Sequence, residues 1–117
     1  MVAYNFQEQF ASDVTAGRKT QTIRALRKNG HATPGQPLQL YCGLRHRGAR
    51  KLRIDPICTG VTPCAISEAG VTLDGKPVDN LDAFARLDGF ADFAEMRAWF
   101  QEQHGLPFVG VLVKWQP

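Results

Sequence analysis

Hydrophobic positions change period several times along the chain, and each change predicts an element. Phe6, Phe10 and Val14 recur at i, i+4 and i+8, the spacing of one helix face, and Gly17 stands where a left-handed cap would end that helix. Thr20-Gln21-Thr22-Ile23-Arg24 is rich in β-branched residues and predicts a short strand or an extended loop. Lys28-Asn29-Gly30 and Thr33-Pro34-Gly35 are turn signals. Leu38, Leu40 and Cys42 then alternate with polar residues, as in a half-buried strand, and residues 43–51 predict an exposed hairpin connection. From Leu52 to Ser67 the pattern predicts one or two strands bent at Pro56 and Pro63.

Asp74-Gly75, inside Val71 to Val78, is a strong two-residue hairpin signal. Asp79 or Asn80 is placed to cap a short helix carrying Leu81, Phe84 and Ala85. Asp92 with Glu95 gives a capping-box pattern ahead of Phe93, Met96, Trp99, Phe100 and Gln103, and Gly105 and Pro107 end that face. Pro107 to Trp115 closes the series as a strand. Several short strands, with helices near the start and late in the chain, predict an α+β fold with a small, partly closed sheet.

Composition adds bounds. The 117 residues fit one domain, and 44% hydrophobic with 21% charged residues is ordinary for a globular protein. No apolar run reaches the roughly 18 residues of a membrane span, so no membrane partner is expected. The first residues lack the basic and apolar regions of a secretion signal. Three cysteines, an odd number, argue against a disulfide scaffold and for a reducing, cytoplasmic setting.

The net charge of +3 changes meaning when it is resolved along the chain. Residues 1–13 carry −2, residues 14–54 carry ten bases and no acid, and residues 55–117 carry −5. A block of that sign predicts an anionic partner, nucleic acid before membrane because no basic amphipathic helix is evident. Within it, Arg45, Arg47, Arg50, Lys51 and Arg53 fall in nine residues, whereas a segment serving solubility alone normally mixes both signs.

The densest chemical signal is Gly17-Arg18-Lys19-Thr20-Gln21-Thr22-Ile23-Arg24. In an extended chain Lys19, Gln21 and Ile23 share one face and Thr20, Thr22 and Arg24 the other, so a bend after Gly17 is needed to bring Lys19 over Thr22. Spacing alone leaves open a solvated loop or a polar site. Cys42-x3-His46 and Cys58-x5-Cys64 lack the ligand spacing of zinc sites, so no metal or other cofactor is expected.

The motif G-x-K-T-x-T-I-R, after an F-x-x-x-F helix and followed by P-G-x-x-L-x-L-Y, resembles the ASCH domain family. The likeness continues through Cys58 to Ile66, Asp88-Gly89-Phe90, Trp99-Phe100 and the ending G-V-L-V-K-W, and so covers most of the chain. It implies a PUA-like, partly closed β-barrel with flanking helices, associated with RNA and its modification. It also implies a cleft lined by Lys19, Thr22, Arg24 and Asp88.

In one branch of that family a threonine nucleophile, a lysine and a glutamate remove the acetyl group from N-acetylcytidine; ribonuclease activity is another type associated with the family. Carried over, Thr22 would be the nucleophile, Lys19 its base and Asp88 the acid, which here is one methylene shorter than that glutamate. The expectation is binding of RNA or a modified nucleoside in the cleft, with hydrolase chemistry as the alternative. Arg45, Arg47, Arg50 and Lys51 are expected to form a phosphate-contacting arm. Tyr41 is a further candidate lining residue, although strand alternation sets it opposite Leu40 and Cys42.

Overall fold

A computed structural model of the chain describes residues 2–43 and 48–116. Alternation decides its first element: Tyr4 and Phe6 are buried while Asn5 between them is exposed, and Val2–Phe6 is a strand, β1. Phe6 therefore does not open the first helix. Helix α1 is Glu8–Ala16, and it buries Phe10, Ala11 and Val14. The i+4 spacing from Phe6 to Phe10 was produced by a strand end and a helix start that face the same core.

Gly17 ends α1 with φ of 81°, a left-handed conformation that glycine reaches without steric cost. The turn lets the amides of Arg18 and Lys19 both donate to the Asp13 carbonyl, at 2.9 and 3.0 Å. This is the bend that the motif required. Strand β2, Gln21–Ala25, follows, and β3, Leu38–Cys42, takes the alternating segment. Strand β4 is the pair Arg50–Lys51, β5 is Cys58–Ile66, and β6 and β7 are Val71–Leu73 and Lys76–Pro77. Helices α2, Leu81–Leu87, and α3, Phe93–Gln103, precede the last strand β8, Phe108–Trp115.

Local chemistry accounts for most boundaries. Asp74 and Gly75 have φ of 52° and 79°, the positive pair that a tight β6–β7 hairpin demands. Asn80, not Asp79, caps α2 by accepting from the Ala83 amide at 3.0 Å, and Asp92 caps α3 by accepting from Glu95 at 2.9 Å. Pro63 does not break β5. Pairing with β6 covers only Cys64 to Ile66, so the proline stands just past the point where that ladder stops.

The result is α+β, with three helices and two sheets among the described residues. One sheet runs β1-β3-β4, with β1 and β3 parallel, and the other runs β2-β8-β5-β6-β7. Backbone bonds from Leu38 to Pro56 and from Cys58 to Gln36, both 2.8 Å, tie the sheets at one corner. At the opposite side β1 and β2 are edges of different sheets. There, the Arg24 and Arg27 guanidiniums reach across to the carbonyls of Asn5 and Ala3, at 2.8 and 3.4 Å. One hydrophobic cluster contains residues of both sheets and all three helices. No helix is long and apolar enough to cross a membrane.

Candidate functional site

Among the described residues only four polar side chains are buried: Lys19, Gln21, Thr22 and Asp88. Three belong to the four-residue stretch from Lys19 to Thr22, and the fourth, Asp88, reaches them from the end of α2. A folded chain normally keeps such groups in water unless they are paired, so their convergence makes this the candidate site.

Lys19 is delivered by the Gly17 turn, and its Nζ lies 3.1 Å from Asp88 Oδ1. It also donates to the Asp88 backbone carbonyl. The Phe10 ring stands beneath the ammonium, its centroid 5.0 Å away. Asp88 is the C-cap of α2, and Gly89 behind it has φ of 96°. A Cβ on Gly89 would lie 3.2 Å from Lys19 Cδ and 3.1 Å from Phe10. The glycine therefore serves twice, turning the chain after the acid and leaving room for the lysine stem.

Arg24 adds the second polar pair. Its Nε donates to Thr22 Oγ1 at 2.9 Å, and its Nη2 holds the Asn5 carbonyl. Its guanidinium carbon lies 4.8 Å from the Phe6 ring and 5.3 Å from the Tyr4 ring. The β8 backbone comes unusually near: a Cβ on Gly110 would stand 2.1 Å from the Arg24 carbonyl oxygen. Only glycine at that rung lets β2 sit where its arginine lines the cavity.

These groups share one cavity of about 460 Å³, within the roughly 300–1,000 Å³ that small-molecule sites occupy. Lys19, Thr22, Arg24 and Asp88 line it together with Phe10, Phe90 and Trp99, and the amides of Asn5, Gln7 and Gln103 stand on its wall with His104. The aromatic side is a continuous edge-to-face stack. Phe10 meets Phe90 at 5.3 Å and Trp99 at 5.5 Å, and Trp99 meets Phe100 at 4.9 Å.

Burial controls the electrostatics. It pushes the Lys19 ammonium below the ordinary lysine range, against the attraction of Asp88, and it pushes the Asp88 carboxyl above the ordinary range, against the attraction of Lys19. Each partner is thus drawn toward its neutral form, and the lysine is a stronger candidate base than a solvated one. Burial, and then repulsion from Arg27, push Arg24 down to about 10, still charged at neutral pH.

The structure brings Lys19, Thr22, Arg24 and Asp88 into one site. It does not bring Tyr41, Arg50 or Lys51 there. Tyr41 is half-buried in β3, in register with Asn5 and Lys51, and does not line the cavity. Arg50 is paired with Glu8 at 3.0 Å and Lys51 with Asp55 at 2.6 Å. Arg45 and Arg47 lie outside the described residues.

Sequence reasoning missed Gln21 as a buried neighbour and Asn5, Gln7, Gln103 and His104 as lining residues. The alternation Tyr4-Asn5-Phe6 was a usable signal for the first of the lining residues, whereas Gln103 and His104 carried none. Among the described residues no three of His, Cys, Asp or Glu gather as a metal cluster. No protein-family model matches the chain, and no curated protein or solved structure shows significant similarity to it.

Proposed function

We propose that the chain is an ASCH-type, PUA-like module that binds a nucleoside, free or within RNA, in the cleft between β1, β2 and the two later helices. The observation that carries this reading is the gathering of three of the four buried polar side chains among the described residues, Lys19, Thr22 and Asp88, together with Arg24 on one aromatic-walled cavity. A nucleobase needs both surfaces: an aromatic face for stacking, and donors and acceptors for its edge. Asp88 offers an acceptor for an exocyclic amine, Lys19 and Arg24 offer donors for a ring carbonyl, and the Thr22 hydroxyl serves either. The corner joining Gln36–Leu38 to Pro56–Cys58 supports a sheet curled toward a barrel, with the cleft at its open side.

Calorimetric titration with cytidine, N-acetylcytidine and uridine tests the reading. Saturable binding that Arg24→Ala and Asp88→Asn each weaken at least tenfold is the expected result. The absence of binding by any nucleoside at millimolar concentration removes it.

The depressed Lys19 pKa favours a second reading, hydrolysis of an acylated nucleoside. Thr22 Oγ would attack the acyl carbon, the amide C–N bond would break, and the amine would leave with a proton relayed by Lys19. Water would then hydrolyse the threonyl ester, releasing the acid and restoring Thr22. In the resting arrangement Lys19 bonds to Asp88 and Thr22 Oγ1 accepts from Arg24, so this chemistry requires Lys19 to exchange Asp88 for Thr22. Loss of the acetyl group from N-acetylcytidine, followed by absorbance, discriminates the two. No turnover above a Thr22→Ala control leaves binding alone.

A further inference from the structure

Several of the bases that precede residue 55 are matched by acids once the chain folds, among them two of the four expected to hold phosphates. Arg18 pairs with Asp13, Arg50 with Glu8 and Lys51 with Asp55. Three other cations, Arg24, Arg27 and Lys28, on β2 and the turn that continues it, form no salt bridge among the described residues, although Asp88 attracts Arg24 from a distance. Arg24 and Arg27 pack on the same Tyr4 ring, at 5.3 and 4.4 Å, near enough that the Arg27 charge disfavours that of Arg24. Two guanidiniums held together by aromatic stacking and backbone carbonyls form a fork that an anion would relieve.

The cavity lining ends at Ala25 on this strand. Past it stand two of the large apolar side chains that remain in solvent, Leu26 at 70% exposure and Val109 at 63%. Ala25 pairs with Gly110, so these two residues flank the same end of the β2–β8 ladder.

We infer that single-stranded RNA leaves the cleft along β2, with a phosphate of the bound nucleotide between Arg24 and Arg27. The next base rests on the Leu26–Val109 step, and the following phosphate lies beside Lys28. This rests on the cleft reading above and adds a direction to it: the strand runs over the β2–β3 connection, not over β4. Charge complementarity selects the occupant, because the step is apolar and its neighbours are cations that form no salt bridge among the described residues, as a base-and-phosphate chain requires.

Fluorescence anisotropy with a labelled single-stranded RNA hexamer, over a salt series, tests the path alongside calorimetry with cytidine and cytidine monophosphate. The hexamer should bind at least tenfold more tightly than cytidine. The Arg27→Glu, Lys28→Glu double variant should erase that advantage and make the salt slope shallower by about 1.4, two contacts at ~0.7 each for a single strand. Lys28→Glu alone, on an exposed turn, should remove about half of the slope change without a folding question. Arg50→Ala with Lys51→Ala should leave hexamer affinity within twofold.

The proposal is overturned if the hexamer binds no tighter than cytidine monophosphate. It is also overturned if reversal at 27 and 28 leaves the slope unchanged, or if the 50 and 51 variant costs more than they do. Hexamer binding that depends on Arg27 and Lys28, with no cytidine binding at all, would keep the path and remove the cleft reading.

Discussion

Lys19–Asp88 and Arg50–Glu8 join the same kinds of group over nearly the same distance, 3.1 and 3.0 Å, but in different surroundings. The first pair has side chains 3% and 4% exposed; the second has 55% and 75%. In water an ion pair exchanges one good solvation for another and contributes little. In the core neither ion has water to return to, so each becomes indispensable to the other while the pair as a whole remains costly. Electrostatic weight in this molecule is set by burial, not by how many bases stand together in the sequence.

The largest effect should come from breaking the buried pair on one side. Asp88→Ala leaves an uncompensated ammonium in the core and should lower stability by about 3–5 kcal/mol in urea denaturation. Lys19→Met with Asp88→Leu removes both charges and should recover most of that loss while nucleoside binding stays absent. A double variant as unstable as the single one would mean that the pair is structural. Gly110→Ala comes next, since a Cβ 2.1 Å from the Arg24 carbonyl forces β2 and β8 apart. It should cost about 1–3 kcal/mol, and nucleoside affinity should fall with it.

Asp92 is an exposed carboxylate with a directed partner, the Glu95 amide. Asp92→Ala should cost about 1 kcal/mol by thermal or urea melt, which separates a helix cap from a mere surface charge.

His31 lies between the extremes. It bonds to the buried Tyr4 hydroxyl and the Ala25 carbonyl, both at 2.9 Å, and burial holds its pKa below the ordinary value of 6.5. A histidine depressed in the folded state binds its proton better when unfolded. Stability should therefore fall as pH drops from about 6.5 through the folded value, and His31→Gln should flatten that slope. Arg24 and Arg27 face the same ring and oppose its protonation. The smallest effect is expected at Arg50→Ala, with no measurable shift in the unfolding midpoint.

Local signals were the most legible in the sequence. The Asp74-Gly75 hairpin, the Asp92 cap, the Gly17 stop and the alternation of Leu38, Leu40 and Cys42 each depend on residues within a few positions of one another, and each appears in the fold. Strand β1 was obscured because Phe6 also fits the i, i+4, i+8 spacing with Phe10 and Val14, which outweighs the short alternation Tyr4-Asn5-Phe6, and its partner β3 lies more than thirty residues away. The four cleft residues were nominated through the motif and a family resemblance, since nothing in spacing alone joins Lys19 to an acid 69 positions later. Charge counting along the chain does not see that Glu8, forty-two positions earlier, pairs with Arg50, whereas the Lys51–Asp55 pair is an i, i+4 neighbour legible in the sequence.

The seam between β1 and β2 is stitched by side chains instead of backbone rungs. No β-ladder crosses it among the described residues, and the guanidiniums of Arg24 and Arg27 span it. Elsewhere the strands are joined by rungs of paired backbone; here the polar links are side-chain ones, the two arginines and His31 between the Tyr4 hydroxyl and the Ala25 carbonyl. The same two arginines that would grip a bound nucleotide are thus part of the latch on its doorway, so occupancy of the cleft and closure of the fold draw on shared side chains.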